Sequence, residues 1–128
     1  MDPISDMFIR IKNAQKAGHE TASVPYSKFK FELIKVLERS GYINSAERRG
    51  KRIKRFIEVG LKYHNGSPAV SGIRLLSRPS RRVYASAKEL LGIARHGGVV
   101  AVSTSKGVMS HKDALKGKVG GQLIAEIW

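Results

Sequence analysis

Four consecutive small apolar residues, Val99-Val100-Ala101-Val102, stop abruptly at three hydroxyl side chains, Ser103-Thr104-Ser105, followed by Lys106 and Gly107. The β-branched run reads as a buried strand. Ser and Thr are poor core residues, so the strand must carry a dense row of donors and acceptors out to the surface. Charge narrows what that row touches. Lys and Arg number 24 against 10 Asp and Glu, a formal net charge of +14, which points to a polyanionic partner more than to any one fold. RNA suits the row better than DNA, because its minor groove is wide, shallow and lined with 2′-hydroxyls. An anionic membrane surface is the other partner class that such a charge admits.

A chain of 128 residues suits one compact unit or two very small lobes. The hydrophobic fraction of 41% beside 27% charged residues is that of a globular chain, not a disordered one. The basic excess runs through both halves: 14 basic and 7 acidic residues in 1–65, 10 and 3 in 66–128. That pattern fits a compact basic domain better than a neutral domain with a basic tail. With no cysteine, disulfides and thiolate zinc sites are excluded, and a reducing compartment fits. The opening Met1-Asp2-Pro3 does not read as a signal peptide. The apolar runs fall far short of the roughly 20 residues a spanning helix needs, so the chain is expected to cross no membrane, and Asn65-Gly66-Ser67 reads as a turn.

Asp2 before Pro3 predicts a helix start, with Ile4, Met7, Phe8 and Ile11 on one face and Gly18 as the stop. Thr21 to Pro25 leans to β. Ser27 predicts the cap of a second helix with Phe29, Leu33, Val36 and Leu37 on one stripe and Gly41 at its end. Next come a strand from Tyr42 to Glu47, a turn over Arg48 to Arg52 and a strand from Ile53 to Tyr63, then a turn at Asn65 to Pro68, the best candidate boundary. Beyond it, Val70 to Leu76 and Arg82 to Ala85 read as strands. Ser86 with Glu89 and Ser110 with Asp113 read as capping boxes of two short helices. A final strand from Gln122 to Trp128 places Leu123, Ala125 and Ile127 on one face.

Three constellations bear on binding. The Ser103-to-Gly107 segment could be a strand-end turn satisfying its own backbone, or a recognition element beside a helix start at Ser110 that favours a phosphate. Arg48, Arg49, Lys51, Arg52, Lys54 and Arg55 place six cations in eight residues. Such a cluster is either a solvated hairpin tip or a set of phosphate contacts that position without reading sequence. Arg78, Arg81 and Arg82 around Pro79, with Tyr84 close behind, could grip phosphates and a ribose or exposed base, or form a charged edge turn.

Enzyme-like patterns fail on context. Ser103-x-x-Lys106 lacks the partner motifs of acylases, Gly117-Lys118 precedes Val119 where a phosphate-binding loop needs Ser or Thr, and His19, His64, His96 and His111 lack metal-ligand spacing. The histidines read as surface or locally hydrogen-bonding groups. No catalytic residue, metal or cofactor is expected. The competing readings are an architectural DNA-binding protein, which would hold duplex DNA and RNA alike, and a small hydrolase using Ser103 and Lys106.

The opening Asp2-Pro3-Ile4-Ser5-Asp6-Met7-Phe8-Ile9-Arg10-Ile11-Lys12-Asn13 resembles the start of the eighth small-subunit ribosomal protein family of bacteria and organelles. The likeness continues through Pro25-Tyr26-Ser27-Lys28, Leu37 to Ile43, Leu61-Lys62-Tyr63, Ser77-Arg78-Pro79 and Arg82-Val83-Tyr84. It ends in Ser103-Thr104-Ser105-Lys106-Gly107-Val108-Met109 and Val119-Gly120-Gly121, so it covers the whole chain in order.

The resemblance implies an α+β fold of two small lobes, an N-terminal α/β lobe (1–65; helix-strand-helix-strand-strand) and a mostly β C-terminal lobe (66–128). It implies a primary rRNA-binding constituent of the small subunit, monomeric when free, in cytoplasmic or organelle ribosomes beside other small-subunit proteins. Its target would be a bulged helix in the central domain of 16S rRNA, with its own operon mRNA as a mimic. Ser103, Thr104, Ser105, Lys106 and Gly107 would enter the minor groove. Gly120, Gly121 and Gln122 would lie close to the RNA, with further contacts from Lys30, Arg52, Lys54, Arg55, Arg78, Arg82 and Tyr84. Two departures stand out. Gln122 replaces the usual Glu, and Arg95-His96-Gly97-Gly98-Val99-Val100 replaces a Gly-Leu-Gly-Ile-Ala-like segment.

Overall fold

Asp2 and Pro3 open the first helix as their order dictates. In the computed structural model, which describes residues 2–128, the Asp2 carboxylate accepts the Ile4 N–H at 3.1 Å. The chain forms two compact units, Met1–Ser71 and Gly72–Trp128.

In the first unit, α1 (Pro3–Lys16) buries Met7, Phe8, Ile11 and Gln15 on one stripe. Gly18, at φ +78°, ends it where a side chain would be strained. β1 (Thr21–Pro25) alternates, burying Ala22 and Val24. Ser27 Oγ accepts the Lys30 N–H at 3.1 Å and caps α2 (Lys28–Arg39). That helix buries Leu33, Ile34, Val36 and Leu37. Phe29, expected on the same stripe, is exposed: the buried stripe begins one turn later, at Leu33. β2 (Ile43–Arg49) and β3 (Phe56–Leu61) complete an antiparallel sheet of order β1-β3-β2.

Two expectations change here. Arg48 and Arg49 extend β2 and pair with Ile57 and Phe56, instead of forming a turn. The strand expected from Ile53 begins only at Phe56, because Arg52–Lys54 closes a single 3-10 turn with the Lys54 N–H on the Lys51 carbonyl at 3.1 Å. Tyr63 leaves that strand too. It belongs to β4 (Tyr63–His64), which pairs with β5 (Ser67–Pro68) across Asn65 and Gly66, both at positive φ.

The second unit is a five-stranded antiparallel sheet with short helical pieces. Its strands are β6 (Ile73–Leu75), β7 (Val83–Ala85), β8 (Val99–Thr104), β9 (Gly107–Ser110) and β10 (Gly121–Ile127). β10 pairs with β8 along its length and with β7 and then β6 besides; β9 lies outside β8. The strand expected over Val70 to Leu76 shrinks to three residues, since Gly72 instead exchanges backbone hydrogen bonds with Trp128.

Ser86 and Glu89 do form a capping box, with the Ser86 N–H on the Glu89 carboxylate at 2.9 Å. The element they cap is a 3-10 turn, Lys88–Leu90. Ser110 Oγ accepts the Asp113 N–H at 3.1 Å and caps α3 (His111–Lys116). Leu90, Val100, Val102, Ala114, Leu123 and Ala85 form the core, each large apolar chain worth about 2 kcal/mol of burial.

The one-face alternation expected for the last strand is replaced by burial of every residue from Leu123 to Ile127. The register shifts at Ile124, whose carbonyl accepts the N–H groups of Leu76 at 2.9 Å and Ser77 at 3.4 Å.

Candidate nucleic-acid interface

Side chains opposite each other in an antiparallel pair project to the same face. Gln122 lies opposite Tyr84 in β7 and opposite Ser103 in β8, so three residues from three strands form one row. The next row along, Val83, Leu123, Val102 and Met109, packs into the core. Alternation then turns the Tyr84–Gln122–Ser103 row to the opposite side. Tyr84 is 66% exposed there, an aromatic face and a hydroxyl on a rigid strand.

The hydroxyl segment is not a loop. Ser103 and Thr104 finish β8, pairing with Val108 and Gly107 of β9, a strand too short to show in the sequence. Only Ser105 and Lys106 form the turn, both exposed. Gly107, at φ +107°, takes a conformation that a side chain resists. The hydroxyls differ in role. Thr104 Oγ1 donates to the Gly107 carbonyl at 2.8 Å and accepts the Lys106 N–H at 3.0 Å, so its proton is committed to holding the turn. Ser103 and Ser105 flank it, half-buried and exposed respectively.

Gly120 and Gly121 are spacers. A Cβ on Gly121 would collide with the Ser103 carbonyl, and one on Gly120 with the Ala85 carbonyl. The pair lets β10 pass close under the strands that carry Ser103 and Tyr84.

Ser77 is a residue that sequence reasoning missed. Its buried hydroxyl accepts the Val83 N–H at 2.9 Å and donates to the Val83 carbonyl at 3.3 Å. It thereby clamps the loop in which Arg78 and Arg81 exchange backbone hydrogen bonds at 2.8 and 3.0 Å. Arg78 and Arg82 are exposed on that loop, with Arg82 two residues before Tyr84.

The phosphate reading of the helix start at Ser110 does not hold. Ser110 pairs with Ala101 at the far end of β9, about 10 Å from the turn. α3 has six residues, its Asp113 N–H is taken by the cap, and Asp113 adds a carboxylate to its first turn.

In the first unit, Lys30 occupies the first turn of α2. The preceding Tyr26 N–H reaches the Arg55 carbonyl at 3.3 Å, which joins that turn to the base of the β2–β3 hairpin. The six cations of this hairpin are not equivalent. Arg49 is neutralised by Glu58 at 2.6 Å and Glu47 at 2.7 Å. Arg48 lies 5.6 Å over the Tyr26 ring. Lys51, Arg52, Lys54 and Arg55 are exposed at the tip.

Two titratable groups lie inside the second unit. His111 is buried, and its Nδ1 accepts the Val100 N–H at 3.0 Å, the local hydrogen-bonding role foreseen for a histidine here. Burial, then the neighbouring Lys112, holds it below the usual imidazole value. Glu126 is only 2% exposed. Burial alone would raise its pKa, but the His96 N–H at 2.7 Å, the His96 ring at 3.1 Å and Arg74 outweigh it and leave the carboxyl below the usual range. His96 in turn stacks on Trp128, ring centroids 3.8 Å apart.

Among the described residues no cluster of His, Asp or Glu could hold a metal ion, and no helix is long and apolar enough to cross a membrane. A family model described as ribosomal protein S8 matches residues 2–128. A protein of Mycoplasmopsis agalactiae named small ribosomal subunit protein uS8 is 42% identical over 127 residues, 99% of this chain and 97% of its own. Proteins of the same name from Dictyoglomus turgidum and Nitratidesulfovibrio vulgaris are 41% and 42% identical, covering 97% and 98% of their own lengths and 99% of this chain.

Proposed function

The chain belongs to the ribosomal protein S8 family, structural and non-enzymatic constituents of the small ribosomal subunit, and we propose that its task there is to recognise one irregular rRNA helix. The target is a bulged helix of the 16S rRNA central domain, and the working surface is the 66–128 lobe. Ser103 and Ser105 pair with ribose hydroxyls and base edges in a deformed minor groove, while Lys106 meets a phosphate. Gln122 adds an amide to the same row, and Tyr84 presents its ring to a ribose or unstacked base. Thr104, Gly107, Gly120 and Gly121 hold this surface in shape. Arg78 and Arg82, with Lys30, Arg52, Lys54 and Arg55 on the other lobe, supply affinity by counterion release. Bound protein selects one RNA conformation among several and so promotes assembly. The same surface binds the protein's own operon mRNA where that message mimics the rRNA site. Its place is in the cytoplasmic ribosome, beside neighbouring small-subunit proteins.

The observation that carries this reading is the alignment of Tyr84, Gln122 and Ser103 in one cross-strand row, whose Ser103 lies two residues before the exposed Ser105–Lys106 turn. The test is binding of the full chain to the central-domain rRNA helix at physiological salt, with a bulge-deleted duplex as competitor. Binding that the deleted duplex cannot displace is expected. Equal binding to both would leave only the net charge at work and overturn the proposal.

A further inference from the structure

The tip of the β2–β3 hairpin displays Ile53, which its spacing places at the start of a strand, among cations instead. Ile53 is 98% exposed, more than any other large apolar residue of the described chain. It stands between Arg52 and Lys54, with Lys51 and Arg55 outside them, all four exposed. No acid occurs from Arg48 to Ile57, and the flanking Glu47 and Glu58 are held by Arg49.

The display is built, not slack. The Lys54 N–H closes the turn on the Lys51 carbonyl at 3.1 Å. Arg52 sits at φ +50°, a left-handed conformation uncommon for a side-chain-bearing residue. Gly50, at φ +87°, lies so close under the Lys54 carbonyl that a Cβ there would collide. The turn thus holds Ile53 in one defined, solvent-facing position among the cations, where it can meet a ligand without rearrangement.

We propose that Ile53 is an apolar anchor for structured RNA, packing against an unstacked base while the cations on either side fasten the phosphates that flank it. This rests on the RNA-binding function proposed above and adds a contact to the other lobe. Four free cations around one aliphatic side chain complement a polyanion carrying apolar base faces. Phosphate contacts alone would need no isoleucine. Apolar side chains, isoleucine among them, serve as wedges at unstacked base steps in other nucleic-acid complexes.

The test uses the full chain and deproteinised 16S rRNA, with Ile53→Ala, Ile53→Leu, Arg52→Ala and the double variant Ser103→Ala/Ser105→Ala. Because Ile53 touches so little of the protein, the thermal midpoint should not move in either Ile53 variant. Ile53→Ala is expected to bind about ten-fold more weakly with an unchanged salt slope, and Ile53→Leu to keep most of the affinity. If Ile53→Ala binds as wild type while the double serine variant is weakened, the anchor is overturned and the recognition surface stands. If Ile53→Ala instead fails only to join subunits assembled with the other ribosomal proteins, its partner is a protein, and the RNA anchor is likewise overturned. If wild type shows no preference for rRNA over a random duplex, the function proposed above falls and the anchor with it.

Discussion

Gln122 lies directly opposite Ser103 in the antiparallel register of the last strand and the hydroxyl-tipped strand. The amide and the hydroxyl therefore share one face of a rigid sheet. Ser103→Ala and Ser105→Ala should each weaken binding to the central-domain helix by about 1–2 kcal/mol where an RNA group loses its partner, with the melting temperature unchanged. Thr104→Ala should differ in kind. Its hydroxyl bridges Gly107 and Lys106, so both melting temperature and affinity should fall, and Thr104→Ser should restore them. Melting curves beside titrations separate the two roles. An affinity indifferent to the triple alanine change would remove the hairpin from recognition.

The glycine positions of the second unit give a matched pair of substitutions. Gly121→Ala drives a methyl into the Ser103 carbonyl and should destabilise by about 2 kcal/mol or more, with the strands forced apart. Gly117→Ala is the control. Its φ is −78° and its nearest neighbour, the Asp113 carbonyl oxygen, is 3.4 Å from the new Cβ, so stability should stay within about 0.5 kcal/mol. Urea midpoints of the two variants decide it, and equal midpoints would refute the spacer role.

Much of this arrangement was legible in the residues, and the illegible parts have physical reasons. Asp2, Ser27 and Ser110 announce the three α-helices, and Ser86 a 3-10 turn, because capping is local: the side chain bonds a backbone N–H two or three residues on. The α+β class and the family emerged from motifs in order along the chain. The spacing of Ile53 from Ile57 fits a strand, whereas the turn that expels it depends on Arg52 and Gly50 adopting positive φ. β9 was missed because Gly107-Val108-Met109-Ser110 is too short for any period to emerge. Glu126 reads as a solvent-facing residue of an alternating strand. Only the fold brings it to His96, thirty residues away.

Acid should lower the stability of the second unit in two stages. The native pKa of His111 lies below its unfolded value near 6.5, so the unfolded chain takes up the proton more readily. Stability is then full above that value and falls as the pH drops through it. Glu126 is likewise held below its unfolded value near 4.5, so its contribution is present above 4.5 and lost as the pH falls through the native value. His111→Gln should flatten the first stage and leave the second. Thermal midpoints measured from neutral pH into the carboxylate range test this, and a first stage that survives in His111→Gln would reassign it to another group.

The cations of the β2–β3 hairpin should separate by salt dependence. Arg52 is exposed at the tip and, as a phosphate contact, should shift the slope of log affinity against log salt by about one unit when replaced by alanine. The loss should be the same for the specific helix and a random duplex, because a phosphate contact carries no sequence information. Arg49 should behave otherwise. Its guanidinium is taken by Glu47 and Glu58, so Arg49→Ala frees two carboxylates beside the RNA while removing no phosphate partner. Affinity should then fall modestly through repulsion, by less than about 1 kcal/mol at such an exposed site, and the loss should shrink as salt screens it. Filter binding across a salt series reads both variants. A slope that changes by a full phosphate in Arg49→Ala would show that RNA competes this arginine away from its carboxylates, and the hairpin would then present five cations to its ligand instead of four.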